Sequence, residues 1–212
     1  MEVARFAKQV GISALGALLL SLSSGHAVAQ DHDHMLMSQA PQTAEQKKQA
    51  NELVATVREV TERYKDVSQV GTDFSLAFGC VSGGDYGAMG LHYVNMNRVG
   101  DGLIDARAPE ILLYEPTANG GVRLTGADYL VLAADWNKNH AHAPELNGQL
   151  FHFFDAPNRF GLPPFYTLHV WAWKDNPLGT FTNWNPTVSC DGFNGATQLV
   201  RAAVRRRIPG GL

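Results

Sequence analysis

The spacing of apolar residues along the chain changes character near Gly71. Before this point, Lys, Glu and Arg alternate with large apolar residues that recur at the spacing of one helix face, namely Leu53, Val57, Val60 and Tyr64. This pattern predicts one amphipathic helix over residues 43–68. Thr43, followed three residues later by Gln46, is typical of a capping box and places the start of the helix there.

After Gly71, short apolar runs alternate with Gly, Pro and polar turns. The runs predict strands over 73–79, 89–95, 109–115, 121–133, 149–154 and 165–174. Asn119-Gly120 lies between two of these runs and predicts a hairpin over 109–133. One helix followed by mostly antiparallel strands indicates an α+β fold, in which the N-terminal amphipathic helix packs on a curved sheet or on a small β-barrel. The pattern does not distinguish the curved sheet from the small barrel. A short final helix is predicted over 196–207.

The first 29 residues have the order of a secretory signal peptide. Basic residues Arg5 and Lys8 precede an apolar run over Val10–Leu22, and Ala27-Val28-Ala29 supplies the small residues of a cleavage site. We therefore expect 1–29 to be a cleaved signal peptide, 30–42 a flexible leader containing His and Met, and 43–212 a single globular domain. A periplasmic or secreted protein with no membrane span after cleavage is the predicted outcome.

Charge and cysteine content narrow the choice of partners and compartment. The formal net charge of −3 argues against a nucleic-acid partner, because proteins that bind nucleic acids present a basic face.

The chain has two cysteines, Cys80 and Cys190. In an oxidising compartment an isolated pair usually forms a disulfide, which predicts a bridge that closes a loop of about 110 residues.

Candidate chemistry lies inside the strands, where single polar residues interrupt apolar runs. Proposed metal ligands of this kind are His92, Asp128, His152 and His169. Imidazole and carboxylate groups together suit a divalent transition metal such as Zn, Cu or Fe. Because side chains alternate along a strand, we expect Trp171 and Trp173 to share a face with His169 and to line the same pocket, together with Glu110. The sequence thus predicts a pocket for a metal ion or a small molecule.

Two alternatives remain open at this point. The buried histidines can be structural in a non-enzymatic ligand-binding or stress protein, since a buried imidazole often donates to a backbone carbonyl. Copper or nickel can also be handled by the mature N-terminus, through the amine of Gln30 and the imidazoles of His32 and His34. Cyclisation of Gln30 would remove that amine. No G-x-S-x-G, P-loop or H-E-x-x-H motif specifies a reaction, so the sequence leaves open whether the protein is an enzyme.

Several long segments carry a resemblance to other proteins. They are CVSGGDYGAMGLHYVN, PEILLYEP, GQLFHFFDAPNRFGLPPFYTLHVWAWKDNPLGTF and NWNPTVSC. In these segments the chain resembles a group of exported bacterial proteins of unassigned function, from about Thr43 to Cys190. The resemblance implies a single domain with Cys80 and Cys190 as its end markers, and it implies no catalytic roles.

Overall fold

A computed structural model describes residues 42–195 of the protein. The predicted signal peptide, most of the leader and the predicted final helix lie outside these residues. The helical segments are α1 (Ala44–Thr61), α2 (Met96–Val99), α3 (Ala133–Trp136) and the 3₁₀ turns Glu62–Lys65, Val67–Val70 and Gly84–Tyr86. The strands are β1 (Ser75–Ser82), β2 (Ala88–Val94), β3 (Ile111–Pro116), β4 (Val122–Leu132), β5 (Glu145–Leu146), β6 (Gln149–Leu150), β7 (His152–Phe154) and β8 (Phe165–Val170).

Helix α1 begins as its sequence predicts. The Thr43 hydroxyl accepts from the Gln46 N–H, and the Gln46 side chain accepts from the Thr43 N–H, so the capping box is confirmed. The helix ends at Thr61, earlier than predicted, and two 3₁₀ turns follow it. Asp66 adopts an extended conformation and accepts from the Ser68 N–H, which interrupts the helix and starts the second turn.

Six strands form one antiparallel sheet in the order β1-β2-β3-β4-β8-β7, and β5 pairs with β6 as a separate small hairpin. The predicted β3–β4 hairpin is confirmed. The predicted strand over 149–154 divides into β6 and β7 at Phe151, whose N–H donates to the Pro144 carbonyl. The sheet is a curved half-barrel, because β1 and β7 remain its two edges and do not pair with each other within 42–195. The α+β prediction is therefore confirmed, with an open curved sheet.

Two glycines allow the sheet to curve sharply. Gly90 in β2 has a φ of 86°, and a Cβ there would lie 2.4 Å from the Tyr114 carbonyl oxygen. At Gly126 in β4 a Cβ would lie 2.1 Å from the Val170 carbonyl oxygen, close to a break in the β3–β4 register. Only glycine permits backbones to approach so closely, and irregularities of this kind bend a strand and increase its twist.

The two faces of the sheet bury different clusters. On the face that we call the helix face, Leu53 and Val57 of α1 pack against Ala127, Tyr129 and Leu168. Side chains at alternate positions point to the opposite face, which we call the pocket face. Its apolar cluster includes Met89, Ile111, Leu113, Leu130, Phe160, Leu162 and Phe165. Residues 155–164, which we call the closing loop, contribute Phe160 and Leu162 to this cluster.

The predicted disulfide joins Cys80 of β1 to Cys190. The segment before Cys190 lies beside β2, where Asn185 exchanges two backbone hydrogen bonds with Ala88. Disulfides persist in oxidising compartments, so this bond indicates an extracytoplasmic location. Among the described residues, no helix is both long enough and apolar enough to cross a membrane.

Candidate metal centre

Three of the four predicted ligands meet on the pocket face. His92 lies in β2, Asp128 in β4 and His169 in β8. Asp128 and His169 are directly opposite each other in the β4–β8 pairing. Each of the three side chains is at least 96% buried, with exposed fractions of 4%, 2% and 2% for His92, Asp128 and His169. One ligand atom from each lies within 4.8 Å of the others, so the group can hold a metal ion.

The curvature of the sheet brings His92 to the other two residues. Strand β2 is separated from β8 by β3 and β4, so in a flat sheet the two strands would lie about 14 Å apart. The ring centroids of His92 and His169 are only 5.8 Å apart, with the rings at 76° to each other. The irregularities at Gly90 and Gly126 therefore help to build the site, because they fold the two halves of the sheet toward each other.

Burial holds both histidines in the form that binds metals. It lowers the pKa of His92 to about 4, and a hydrogen bond to the Gly90 carbonyl opposes this shift. Burial, with the neighbouring His92 and His152 rings, lowers the pKa of His169 well below its ordinary value. Both imidazoles are therefore neutral at pH 7, and a neutral imidazole nitrogen is the ligand that transition metals take.

Asp128 is a buried carboxyl with two hydrogen-bond donors. Burial raises its pKa to about 7, while the Thr167 hydroxyl and the Leu168 N–H oppose the rise. The Thr167 hydroxyl donates to Oδ1 over 2.6 Å. A bound cation would favour the ionised carboxylate, because opposite charges attract strongly in a buried site. Thr167, which the sequence analysis missed, thus orients the carboxyl; its position two residues before His169 on the same face was the available signal.

The hydrogen bonds of the two histidines differ. The Nδ1 of His92 lies 3.2 Å from the Gly90 carbonyl oxygen. A carbonyl only accepts, so Nδ1 carries the proton and Nε2 keeps its lone pair for a ligand. Neither ring nitrogen of His169 has a hydrogen-bond partner among residues 42–195, although both are buried. Its Nδ1 lies 3.4 Å from Asp128 Oδ1, and with His169 neutral this contact is not an ion pair. The Asn183 amide opposes the lowering of the pKa of His169, but its geometry falls short of a hydrogen bond.

A small cavity adjoins the three residues, with a volume of about 20 Å³. One water molecule needs roughly 10–15 Å³ on the same measure. Most of the wall is apolar. The lining residues are Phe78, Met89, His92, Ile111, Asp128, Leu130, Phe154, Phe160, Leu162, Phe165, Thr167 and His169. The contribution of Phe160 and Leu162 was not predicted, because PNRFGLPP reads as a Pro- and Gly-rich connection.

His152 does not join the predicted ligand set. It is opposite Thr167 in the β7–β8 pairing and shares the pocket face. Its Nδ1 lies 3.0 Å from Asn183 Oδ1, outside the group formed by the other three residues. The reason is that β7 is a three-residue edge strand, so His152 stands at the margin of the sheet, half-buried. It influences His169 electrostatically without facing the cavity.

The two predicted pocket tryptophans lie on different sides of the sheet. Trp171 is buried beside His169, with ring centroids 6.1 Å apart, but it packs with Val188 and does not line the cavity. Trp173 points to the helix face, where its Nε1 donates to the Thr61 hydroxyl. Strand alternation fails here because β8 ends at Val170 and the chain turns before Trp173.

Glu110 is also buried away from the cavity. It precedes β3, and its Oε2 accepts from the Leu130 N–H over 3.0 Å. Burial raises its pKa to about 8, and the nearby carboxyl groups of Asp128 and Asp101 add to the rise. Glu110 is two residues from Leu112, which is opposite Ala127 of the helix face, so alternation directs Glu110 away from the ligand group. It is a second buried acid, separate from the candidate centre.

Glu110 makes stability depend on pH. Its pKa is about 8 in the folded protein against an ordinary value of 4.5, so its contribution is complete below pH 4.5 and is lost as pH rises through 8. We expect the free energy of unfolding of the wild type to decrease between pH 5 and pH 9. In Glu110→Gln this decrease should be smaller by about 2–4 kcal/mol. Urea denaturation at several pH values measures it. The exposed Glu145 provides a matched control in Glu145→Gln, and equal pH dependence in wild type and Glu110→Gln would contradict the prediction.

The remaining predicted site residues are the three in the leader and the two cysteines. Gln30, His32 and His34 lie outside the described residues, so the leader site stays a prediction. Cys80 and Cys190 are bonded to each other and are not metal ligands.

Comparisons with protein-family models, with curated proteins and with solved structures find no match for this chain.

Proposed function

We propose that the protein is an exported metal-binding protein in which His92, Asp128 and His169 hold one divalent transition metal ion. The observation that carries this proposal is His169, a fully buried imidazole that has no hydrogen-bond partner for either nitrogen and adjoins a buried carboxylate and a second imidazole. A metal ion would accept the lone pair of one nitrogen of each ring and one carboxylate oxygen.

Purely structural histidines fit these contacts less well. A buried polar group without a partner costs about 1–3 kcal/mol, and structural buried histidines avoid this cost by donating to a carbonyl. His92 does so through Nδ1, which also fixes the tautomer that leaves Nε2 for a ligand. His169 makes no such bond. The pair thus consists of one imidazole oriented by its Nδ1 hydrogen bond and one imidazole whose nitrogens make no competing hydrogen bond.

The donor set supports a metal of intermediate softness. Two imidazoles and one carboxylate suit zinc, copper or non-haem iron, whereas calcium and magnesium prefer oxygen alone. Two atoms bound to one such ion at 2.0–2.2 Å lie at most about 4.4 Å apart, against the 4.8 Å within which these atoms now lie. Small side-chain rotations of the three residues would bring them into bonding range.

Export is the second part of the proposal. The disulfide supports an oxidising compartment, and the basic, apolar and small-residue order of 1–29 supports a cleaved signal peptide that delivers the protein to the periplasm or the exterior. The resemblance to exported bacterial proteins agrees with this assignment. Mass spectrometry of the mature N-terminus tests it, and a chain that still begins at Met1 would contradict it.

The metal assignment is tested by titration of the full, chelator-treated protein with Zn²⁺, Cu²⁺ and Fe²⁺ under isothermal calorimetry. We expect one ion per chain at the buried site. Loss of a residue that merely supports a ligand costs about 10–100-fold in affinity, so we expect Asp128→Asn, which removes a ligand, to cost about 100-fold or more.

The matched control is His142→Ala, which removes an exposed histidine from the loop before β5. The difference between wild type and Asp128→Asn isolates the buried site from other chelating segments, including residues 30–34. Wild-type protein that binds none of the three ions, or Asp128→Asn that binds as tightly as wild type, would refute the assignment.

A further inference from the structure

Under the proposed function, the walls of the cavity determine what can bind beside the metal ion. The cavity volume of about 20 Å³ exceeds the needs of a single water molecule only slightly. Its polar lining residues are the three ligands and Thr167, whose hydroxyl already donates to Asp128. A ligand with several polar groups would therefore bury them without partners, which is costly.

The closing loop is held in place by one asparagine. The Asn158 amide donates to the carbonyl oxygens of Asp155 and Leu162, and its Oδ1 accepts from the N–H groups of Phe160 and Leu162. These four bonds fix the two residues of the loop that line the cavity. The apolar wall is thus a preformed part of the site.

A second set of contacts ties the closing loop to the rest of the domain. The Arg159 guanidinium donates to the Ser82 carbonyl at the end of β1 over 2.8 Å. The same group lies over the Trp184 ring, 5.3 Å from its centroid. A larger ligand would have to break these contacts before Phe160 and Leu162 could move away.

The charge of the centre favours an anion. Two neutral imidazoles and one carboxylate supply a single negative charge, so a divalent ion bound to them leaves a net charge of one positive unit. Burial of an unpaired charge is strongly unfavourable. A monoanion bound to the metal makes the buried group neutral.

We propose that the metal ion in this centre takes one small monoanion as its exogenous ligand, from hydroxide up to a slender linear ion such as azide or cyanate, and that the fixed wall at Phe160 and Leu162 excludes bulkier anions. Charge selects the sign of the ligand, and the closing loop selects its size.

The test uses the full protein loaded with Co²⁺, whose visible absorption responds to its ligands. We expect azide and cyanate to change the spectrum and acetate and benzoate to leave it unchanged at matched concentration. One methylene group in an apolar pocket changes the discrimination between two ligands by about 10–200-fold. Because Phe160→Ala removes a whole ring from the wall, we expect it to raise the affinity for acetate about tenfold or more. Phe153→Ala, at an exposed phenylalanine on neighbouring β7, is the matched control and leaves acetate excluded.

The outcomes separate this inference from the proposed function. Cobalt binding without any response to azide or cyanate overturns the inference and leaves the metal site standing. Benzoate or acetate that binds wild type as tightly as azide overturns the size selection, independently of how well Phe160→Ala folds. A protein that takes up no Co²⁺, Zn²⁺, Cu²⁺ or Fe²⁺ overturns both.

Discussion

Replacing His169 with leucine is expected to stabilise the metal-free protein by about 1–3 kcal/mol and to abolish its stabilisation by metal ions. Both ring nitrogens of His169 are buried without hydrogen-bond partners. An apolar side chain of similar size removes this cost and keeps the packing against Trp171 and the pocket-face cluster. The same change removes one of the three proposed ligands.

Urea denaturation with a chelator and with excess Zn²⁺ measures both effects. A ligand present at 100 times its dissociation constant stabilises the folded state by about 2.7 kcal/mol, so wild type should gain this amount with Zn²⁺ while His169→Leu gains none. His142→Leu, at an exposed position, serves as the control that keeps the gain. If the metal-free leucine variant is less stable than wild type, His169 makes a structural interaction and the metal assignment loses its main support.

Loss of the Cys80–Cys190 disulfide is expected to lower the free energy of unfolding by about 3–5 kcal/mol. The bond joins residues 110 positions apart, and closure of a loop of this length removes about 4–5 kcal/mol of entropy from the unfolded chain in the loop-entropy model. The bond also holds the segment that pairs Asn185 with Ala88, a residue that packs with Trp171 and Val188. A change of this size is a large part of the stability of a typical domain.

The comparison is between oxidised wild type, wild type with a thiol reductant, and Cys80→Ala/Cys190→Ala. We expect the last two to unfold at the same, lower urea concentration, and the reductant to have no effect on the double variant. Two titratable thiols in protein purified without reductant would show that the bond does not form, and they would also remove the support it gives to an extracytoplasmic location.

The convergence of His92, Asp128 and His169 on one face could be predicted from the sequence for a specific reason. Each is a single polar residue inside a strongly apolar strand, where the apolar neighbours indicate burial and alternation decides the face. Local or strongly constrained sequence patterns also predict the start of the helix, the β3–β4 hairpin and the disulfide. These features depend on few neighbours, so a single sequence suffices for them.

The other predicted pocket residues depend on where strands stop and how the sheet bends. Trp173 leaves the pocket face because β8 ends at Val170, and His152 stays at the margin because β7 is short. The approach of His92 to His169 depends on backbone contacts at Gly90 and Gly126 between strands distant in sequence. Patterns within one strand carry no information on such long-range geometry.

The three proposed ligands come from β2, β4 and β8, and β8 adds to the sheet beside β4 after most of the domain has been made. Any fragment that ends before Phe165 lacks His169 and holds an incomplete set. The proposed metal ion therefore finds its complete set of three ligands only on a chain that extends past His169. On the proposal that the protein is exported, we expect the ion to come from the metals of the destination compartment.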